Sequence, residues 1–260
     1  MSEDGISRDG LKKGDVVVVT GGSGGFGQAF ARRFARMGAK VAIWDIDTSA
    51  GEEIAHRLGA EGGVASFIKV DLGIRAEIEA AVARTLKDLG TPYCIINNAS
   101  IYPRASLIDL APEIWEQACR INITAPFLIL RAFGPRMIGQ GRGVMINIAS
   151  GRAIEGAPDG AAYACTKAAI LSLTKSLALE WAKHNIRVNG IIPGVSLTAQ
   201  PLEAGISREE LIERGAKTIP LGRIGYPEDV AGLAAFLASA DAAYMTGQGL
   251  AINGGRVLVP

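Results

Sequence analysis

The amino-acid sequence predicts an α/β fold with one doubly wound, mostly parallel sheet of seven strands and helices on both of its faces. Seven short apolar runs alternate with longer helical patterns along 260 residues, of which 48% are hydrophobic. The first six runs are continuously apolar, as expected for strands that helices cover on both sides. A chain of this size and composition buries one large core, so we expect a single domain.

Strands and helices follow one another in the order that such a sheet requires. The strands are predicted at Val16 to Thr20, Val41 to Trp44, Ala65 to Val70, Cys94 to Asn97, Val144 to Ile148, Val188 to Ile192 and Leu250 to Ile252. The helices are predicted at Phe26 to Met37, Ser49 to Leu58, Arg75 to Leu89, Pro112 to Arg136, Ala161 to His184 and Pro227 to Ala238. Each helix allows the chain to return to the sheet edge where the next parallel strand begins.

Two segments fall outside this alternation. Residues 1–14 are polar and predict a flexible lead-in to a domain over residues 15–260. Residues 195–220 are long and polar and contain one predicted helix, which begins near Ser207. Because this segment follows the sixth strand, at the sheet edge where such folds bind ligands, we expect a lid over the substrate.

Charge and hydropathy exclude several partners. The 27 basic and 26 acidic side chains give a formal net charge of +1, which provides no field for binding nucleic acid or an anionic membrane. No apolar run reaches the length of about 18 residues that a membrane span requires, and the first residues do not resemble a secretory signal. The sequence therefore predicts a cytoplasmic protein that acts on a small molecule.

The cysteines match no zinc or disulfide pattern. Cys94, Cys119 and Cys165 stand at unrelated spacings, so we expect reduced, mostly buried thiols and no metal site. A thiolate nucleophile at Cys165 would need a neighbouring base. Both histidines, His56 and His184, lie in unrelated helical contexts, which disfavours a Cys/His pair.

A glycine-rich turn, Thr20-Gly-Gly-Ser-Gly-Gly-Phe-Gly27, follows the first strand and precedes an apolar helical pattern. Without side chains in the turn, the amino end of that helix can approach a pyrophosphate closely. The strand and helix on either side favour a dinucleotide site of the Rossmann type over a merely flexible turn. The predicted contacts are Gly21, Ser23, Gly25, Phe26 and Gly27.

The end of the second strand bears on the choice of cofactor. A carboxylate at Asp45 can accept hydrogen bonds from the adenosine ribose and repel the extra phosphate of NADP. Neither Gly24 nor Ile46 supplies a cation for that phosphate, so we expect NAD. The alternative is that Asp45 is an ordinary solvated acid. Further cofactor contacts are predicted at Ile46 and, beside the adenine, at Asp71 and Leu72.

Tyr163 and Lys167 lie one turn apart on the same face of a predicted helix. A free tyrosine titrates near pH ~10, so acid–base chemistry at neutral pH needs a stabilised phenolate, which a neighbouring ammonium group provides. Ser150 ends the fifth strand, where its hydroxyl can polarise a substrate oxygen held by Tyr163. Alone, the Tyr/Lys pair is also typical of any amphipathic helix with an exposed lysine.

The fourth strand ends in Asn97-Asn98-Ala99, at the point where the strand order is expected to reverse. Open α/β sheets bind ligands in the crevice at that point, so Asn98 and Ala99 are expected beside the dinucleotide. All of these motifs then meet at one edge of the sheet.

Together the motifs resemble those of the short-chain dehydrogenase/reductase family, in its single-domain, short-subunit branch. The resemblance extends from about Asp15 to Gly255. The matching residues are the TGxxxGxG pattern of Thr20 to Gly27, Asp45, Asp71, Asn97 to Ala99, Asn122, Ser150, Tyr163, Lys167, Pro193-Gly194, Thr198 and the run from Arg223 to Asp229.

The resemblance implies a catalytic tetrad of Asn122, Ser150, Tyr163 and Lys167. Tyr163 would transfer the substrate proton and Ser150 would orient the carbonyl. Lys167 would hold the nicotinamide ribose, and the main-chain carbonyl of Asn122 would hold a water leading to Lys167. A homotetramer built on the helix from Ala161 and on the carboxyl-terminal segment is also implied. The implied cofactor contacts are Tyr163, Lys167, Pro193, Gly194, Val195, Ser196 and Thr198.

Three residues depart from the family pattern. Ser100 replaces the glycine usual after Asn-Asn-Ala, Ser196 replaces a branched apolar residue, and Asn253 replaces an aspartate before Gly254-Gly255. The first two bear on the shape of the substrate pocket and not on the reaction class. The pocket is predicted at Ser100, Tyr102, Arg104, Arg152, Ile154 and Ala157.

Arg104 and Arg152 leave the charge of the substrate open. Arginines of this kind can bind a carboxylate, or they can simply be solvated at loop edges.

The sequence thus predicts an oxidoreductase that transfers a hydride between NAD and an alcohol or ketone, with Tyr163 as general acid and base. One alternative is an NADP-linked 3-oxoacyl thioester reductase, which shares the whole framework but normally has a basic residue in place of Gly24. The other is an NAD-binding sensor or scaffold without turnover, which has no need of Ser150, Tyr163 and Lys167 together.

Pro126 lies four residues after Asn122 in the same predicted helix. Because proline has no N–H, an α-helix would leave the Asn122 carbonyl without its usual donor and would bend there. A water between this carbonyl and the Lys167 ammonium group would replace the lost partner. The alternative is a packing kink without a function.

Overall fold

A computed structural model describes residues 10–198 and 207–258 of the chain. The strands in these parts are β1 Val16–Thr20, β2 Lys40–Asp45, β3 Val64–Lys69, β4 Pro92–Asn97, β5 Gly143–Ile148, β6 Ile186–Pro193 and β7 Gly249–Ile252. They form one sheet in the order β3-β2-β1-β4-β5-β6-β7. Every neighbouring pair is parallel, so the sheet is more regular than the mostly parallel one predicted.

Helices connect these strands. They are α1 Gly25–Arg36, α2 Thr48–Ala60, α3 Arg75–Asp88, α4 Pro112–Cys119, α5 Ala125–Gln140, α6 Arg152–Glu155, α7 Ala161–Trp181, α8 Arg208–Thr218 and α9 Pro227–Ala238. A π-helical turn, Arg120–Thr124, joins α4 to α5, and 3₁₀ turns follow α7 and α9 at Ala182–His184 and Ala240–Ala242. Among the described residues, no helix has the length and apolar character to cross a membrane.

The sheet lies between two helical layers because its strands bury side chains on both faces. Val17 and Val19 of β1 pack in a core with α1, α2 and α9, whereas Val18 packs in a second core with α3, α5 and α7. Successive side chains of a strand point to opposite faces, so a continuously apolar strand serves both cores. The predicted α/β fold with helices on both faces is therefore confirmed.

The strand order reverses between β1 and β4. From β1 the chain continues to β2 and β3 on one side, and it then crosses to β4 on the other side. Reversal leaves a crevice at the carboxyl ends of these two central strands. The residues that follow β1, β4 and β5 therefore converge there, as the sequence predicts.

The long predicted helix from Pro112 to Arg136 differs from the observed one. It consists of α4, the π-helical turn and α5, and it ends at Gln140. Gly141 ends α5 in the left-handed conformation, with φ of 64°, which explains the later end point. The sequence also does not predict the short helix α6.

The flanking segments are partly described. The predicted lead-in is anchored from Gly10 onward, since Arg142 donates to the Gly10 carbonyl at 2.9 Å and the Leu11 N–H donates to the Ala238 carbonyl at 2.9 Å. In the predicted lid, the Ser207 hydroxyl accepts a hydrogen bond from the third residue of α8 at 3.1 Å and caps the expected helix. Residues 199–206 of the lid lie outside the described residues.

Candidate active site

A cleft of about 1530 Å³ runs along the edge of the sheet where β1, β4, β5 and β6 end. It brings together residues that the sequence predicts for cofactor, catalysis and substrate. The predicted residues that line it are Gly21, Ser23, Gly25, Phe26, Asp45, Ile46, Asp71, Leu72, Asn98, Ala99, Ser100, Tyr102, Arg104, Ser150, Arg152, Tyr163, Lys167, Pro193, Gly194, Val195, Ser196 and Thr198.

Two predicted residues act from behind the cleft wall. Gly27 does not line the cleft, and a Cβ on it would overlap the Gly21 carbonyl oxygen. It therefore permits the tight turn of the main chain. Asn122 is buried in the π-helical turn and does not line the cleft either.

Two predicted pocket residues, Ile154 and Ala157, do not line the cleft. Ile154 is 43% exposed on α6, a helix that the sequence does not predict and that turns this side chain to solvent. Ala157 and Tyr102 both lie beside Gly160, where an added Cβ would lie 2.9 Å from each side chain.

The end of β4 holds the glycine turn in place. The Asn98 side-chain amide donates to the carbonyls of Thr20 and Gly21 at 2.9 and 3.0 Å. The main-chain N–H groups of Asn98 and Ala99 donate to Thr20 Oγ1 at 3.0 and 3.1 Å. These bonds join the end of β4 to the end of β1, the two strands between which the strand order reverses. The Asn98 side chain therefore positions the main chain that faces the cleft.

Asp45 is tied to the same turn. Its Oδ2 accepts a hydrogen bond from the Ser23 N–H at 3.0 Å, and its Oδ1 accepts one from the Asp47 N–H at 3.1 Å. Each carboxylate oxygen can accept a further hydrogen bond, as a ribose hydroxyl would require. The charged side chains that line this end of the cleft are Asp45, Asp47 and Asp71.

The catalytic candidates meet beside α7. The ring of Tyr163 is buried and stacks on Tyr102, with centroids 4.2 Å apart and an angle of 19° between the planes. Lys167 Nζ lies 5.5 Å from the centroid of the Tyr163 ring. Ser150 lies close enough to Tyr163 to lower the pKa of the tyrosine. Three members of the predicted tetrad thus share one point of the cleft.

Burial dominates the pKa values of this group. It lowers the pKa of Lys167 to about 7, and Lys167 Nζ donates to the Ile148 carbonyl at 2.7 Å. Burial raises the pKa of Tyr163, whereas Ser150 and the charge of Arg152 lower it. Lys167 is not among the groups that shift the pKa of Tyr163 in this structure, so the expectation that its ammonium group lowers that pKa stays a prediction.

The Asn122 side chain links two parts of the site. Its Oδ1 accepts a hydrogen bond from the Ile101 N–H at 2.9 Å, and its Nδ2 donates to the Ile101 carbonyl at 3.0 Å. Nδ2 also donates to Thr166 Oγ1 at 3.0 Å, and this hydroxyl donates to the Tyr163 carbonyl at 2.8 Å. Asn122 therefore holds the loop after β4 against the helix that carries Tyr163.

The segment after β6 closes over the glycine turn. The Leu197 N–H donates to the Gly225 carbonyl at 2.9 Å, and the Gly225 N–H donates to the Val195 carbonyl at 3.1 Å. This pairing directs the chain toward Gly25, where an added Cβ would lie 2.9 Å from Thr198 Cβ. Thr198 thus lies against the glycine turn, at the end of the cleft that Asp45 lines.

Several lining residues carry no motif that sequence reasoning could use. They are Gln117, Ile121, Glu155, Leu211, Arg214, Thr218, Arg256 and Val257. They come from separate segments that only the tertiary structure brings together. Some of them could have been expected from their place in the sequence, since α8 lies in the predicted lid and Arg256 follows Asn253, which departs from the family pattern.

The cysteines lie apart from this chemistry. Cys94 is buried, and burial raises its pKa to about 12. Cys165 is exposed, so the expectation of mostly buried thiols is wrong for it. It lies two residues from both Tyr163 and Lys167, and helical periodicity turns it away from the face that they share. Within the described parts of the chain, no group of three or more His, Cys, Asp or Glu side chains is arranged to hold a metal ion.

Comparisons with known proteins agree with this geometry. The chain matches a family model described as "Enoyl-(Acyl carrier protein) reductase" over residues 21–256. An uncharacterized oxidoreductase of Thermotoga maritima is 35% identical over 251 residues, which cover 95% of this chain and 99% of the relative.

Solved structures with a similar fold contain nicotinamide cofactors. The 3-ketoacyl-(acyl-carrier-protein) reductase from Brucella melitensis, complexed with NADH, has a TM-score of 0.86 at 33% identity and covers 95% of this chain and 99% of its own. A gluconate 5-dehydrogenase from Burkholderia cenocepacia, in complex with NADP and tartrate, has a TM-score of 0.88 at 32% identity, with 96% and 98% covered. The chain belongs to the short-chain dehydrogenase/reductase family of NAD(P)-dependent oxidoreductases.

Proposed function

We propose that the protein transfers a hydride between NAD and the alcohol or carbonyl carbon of a small substrate. The observation that carries this proposal is the grouping of Tyr163, Ser150 and Lys167 at one point of the cleft. A protein that only bound NAD would not need a buried tyrosine with a serine at its hydroxyl and a lysine beside its ring. Perturbed ionisable groups that cluster in a cleft are typical of catalysis.

The cleft fits a dinucleotide. It extends from Asp45 to Arg152, and Gly27 leaves no room for a Cβ where the main chain turns at the expected pyrophosphate site. When bound there, the nicotinamide cofactor supplies or accepts the hydride. Asp45 favours NAD, because its charge opposes the additional phosphate of NADP and only acids supply charge to this end of the cleft among the described lining residues.

Tyr163 handles the proton. In reduction its hydroxyl donates a proton to the substrate oxygen, and in oxidation its phenolate accepts the alcohol proton. Its raised pKa favours the protonated form and hence the acid role at neutral pH. Ser150 orients the same substrate oxygen. Lys167, with a pKa of about 7, binds the ribose and can exchange a proton near neutral pH.

We also propose a homotetramer. Large apolar side chains lie exposed on α4, α5 and α7, with Trp115 at 37%, Phe127 at 48% and Leu179 at 86% exposure. Exposed apolar surface that extends over neighbouring helices favours a protein interface. Sedimentation of the purified protein tests this, and Leu179→Glu should produce smaller species. A wild-type protein that sediments as a monomer at micromolar concentration would contradict the proposal.

The test of the proposed reaction is the change in reduced-nicotinamide absorbance. Purified protein is assayed with NAD⁺ or NADP⁺ and a panel of alcohols, and with NADH or NADPH and the matching ketones. We expect NAD-linked turnover that Tyr163→Phe abolishes. Calorimetry shows in parallel whether NAD binds.

Two outcomes would replace the proposal. NAD binding without turnover of any alcohol or ketone would favour a sensor or scaffold. Rapid reduction of acetoacetyl-CoA by NADPH, well above every other pair, would favour the 3-oxoacyl thioester reductase, the activity named for the Brucella melitensis structure.

A further inference from the structure

The two ends of the cleft carry opposite charge. The charged side chains that line the cofactor end are Asp45, Asp47 and Asp71. Those that line the substrate end beside Lys167 are Glu155, Arg104, Arg152, Arg214 and Arg256. Four arginines against one carboxylate make the substrate end positive, so a bound anion would be attracted to it.

The arginines differ in how far their charge is balanced. Arg214 is paired with Glu210 of the same helix, with 2.6 Å between nitrogen and oxygen. Arg152 lies 3.8 Å from Glu155, which is beyond hydrogen-bond distance. Arg256 has neither an ion pair nor a side-chain hydrogen bond with any residue that the structure describes. Arg104 also has no ion pair or side-chain hydrogen bond with a described residue, but its guanidinium carbon lies 5.0 Å from the centroid of the Tyr102 ring. Among the described residues, the Arg256 guanidinium has no partner of any of these kinds.

A short turn holds Arg256 in place. Asn253 Oδ1 accepts a hydrogen bond from the Gly255 N–H at 3.0 Å, and Asn253 Nδ2 donates to the Val257 carbonyl at 2.7 Å. Gly254 and Gly255 have φ of 66° and 88°, which only glycine adopts easily. An aspartate at position 253 would have no donor for the Val257 carbonyl. The departure from the family pattern therefore fixes this turn.

The turn packs against the catalytic segment. Val257 is buried, and its Cγ2 would lie 3.3 Å from a Cβ placed on Gly151, the residue between Ser150 and Arg152. Arg152 lies close enough to Tyr163 for its charge to lower the pKa of the tyrosine. An anionic group held between the turn and this segment would therefore lie beside the oxygen that Tyr163 protonates.

We propose that the substrate is a small hydroxycarboxylate, or the matching oxocarboxylate, whose carboxylate is bound by Arg256 and Arg152 at the end of the cleft opposite Asp45. This inference rests on the proposed function, since it names the substrate class of the same site. A guanidinium binds a carboxylate through two parallel, charge-assisted hydrogen bonds, which fixes its orientation as well as its position. The carboxylate thereby determines which hydroxyl carbon faces the catalytic tyrosine.

Binding is measured by calorimetry on the NAD⁺-saturated protein, with acids and neutral polyols of the same carbon skeleton as probes. The pairs are L-tartrate with L-threitol and D-gluconate with D-glucitol. We expect at least one acid to bind about 10-fold or more tightly than its polyol. Arg256→Gln should weaken that acid by about 10- to 100-fold and leave the polyol unchanged.

Further variants separate charge at the site from general effects. Arg256→Lys should retain part of the preference, because it keeps the charge but not the paired hydrogen bonds. Arg84→Gln removes an arginine from the surface of α3, where it pairs with Asp88, and should behave as wild type. Unchanged melting temperature and NAD⁺ affinity show that each variant is folded.

Two results would overturn the inference: polyols that bind as tightly as their acids in both pairs, or an Arg256→Gln variant that weakens acid and polyol alike. NADH formation tests the proposed function separately. Charge-selective binding without turnover of any alcohol would refute the function and leave the anion site standing. Turnover of hydroxycarboxylates that Arg256→Gln does not affect would refute the anion site alone.

Discussion

The two ends of the cleft are built differently. At the cofactor end, main-chain groups of the glycine turn face the cleft, and Asn98 and Asp45 hold that turn through hydrogen bonds of 2.9 to 3.0 Å. At the substrate end, side chains project from the loop after β4, from α6, from α8 and from the turn after β7. One end therefore depends on backbone shape and the other on the identity of individual side chains.

This difference has a consequence for function. A substitution at the substrate end removes one side chain from the wall and leaves the cofactor end intact, whereas a substitution in the glycine turn alters the main chain itself. We therefore expect substrate choice and cofactor binding to be separable by mutation. Four variants test that separation.

Tyr163→Phe should separate the ends most strongly. We expect kcat to fall by about 10²- to 10⁴-fold, because the general acid is lost. Affinity for NAD should stay near that of wild type, since the phenylalanine ring can still stack on Tyr102. Steady-state kinetics and calorimetry measure the two effects. The control, Tyr102→Phe, keeps the stack and the catalytic hydroxyl and should lose far less. Near-normal turnover by Tyr163→Phe would refute the mechanism.

The pH dependence of stability tests whether burial neutralises Lys167. Its pKa falls from 10.5 to about 7 on folding, so between these pH values the unfolded chain binds more protons than the folded one. The free energy of unfolding should therefore rise with pH, by about 2 kcal/mol between pH 7 and pH 9 from this group alone.

Denaturant titrations at both pH values measure this rise. Lys167→Met should lack the Lys167 contribution and should also lose turnover. Lys175→Met removes an exposed lysine from the same helix and should keep the wild-type pH dependence. Equal slopes in wild type and Lys167→Met would show that Lys167 is not neutralised by burial.

Asp45→Ser should alter the cofactor end alone. We expect the preference for NAD over NADP in kcat/KM to fall by about 10-fold, because the charge that opposes the extra phosphate is removed. Asp47→Ser is the matched control, since Asp47 caps α2 by accepting from the Ala50 N–H at 3.0 Å and a serine can keep that cap. A wild type that already uses NADP better would show that the assignment of NAD is wrong.

The same contrast explains what could be predicted from the sequence. The fold and the glycine turn were predictable because helix and strand periodicity and the need for glycine extend over neighbouring residues. The places of Arg256 and Val257 were not, because a turn after β7 packs against a residue more than a hundred positions earlier, Gly151. The pKa of Lys167 also depends on burial among distant segments, which spacing to Tyr163 alone does not show.

We expect the smallest effect from Pro126→Ala. This substitution alters the π-helical turn, which carries Asn122 and does not belong to either end of the cleft. The helix is irregular where the sequence predicts it, since the Ala125 N–H donates to the Arg120 carbonyl, five residues earlier, in the π-helical turn. Pro126 has no N–H with which to continue either an α- or a π-helical pattern. An alanine restores that N–H and allows the turn to become α-helical.

Such a change would move Asn122, whose side chain holds Ile101 and Thr166 at 2.9 to 3.0 Å and whose carbonyl is the predicted holder of the water that leads to Lys167. We expect turnover to slow several-fold and the pH–rate profile to shift, while NAD affinity is kept and the regained helical hydrogen bond stabilises the fold. Pro135→Ala removes the other proline of the same helix, at an exposed position, and should leave the profile unchanged. If Pro126→Ala also leaves it unchanged, the irregular turn serves only packing, because a proton path through the Asn122 carbonyl cannot be indifferent to the position of that carbonyl.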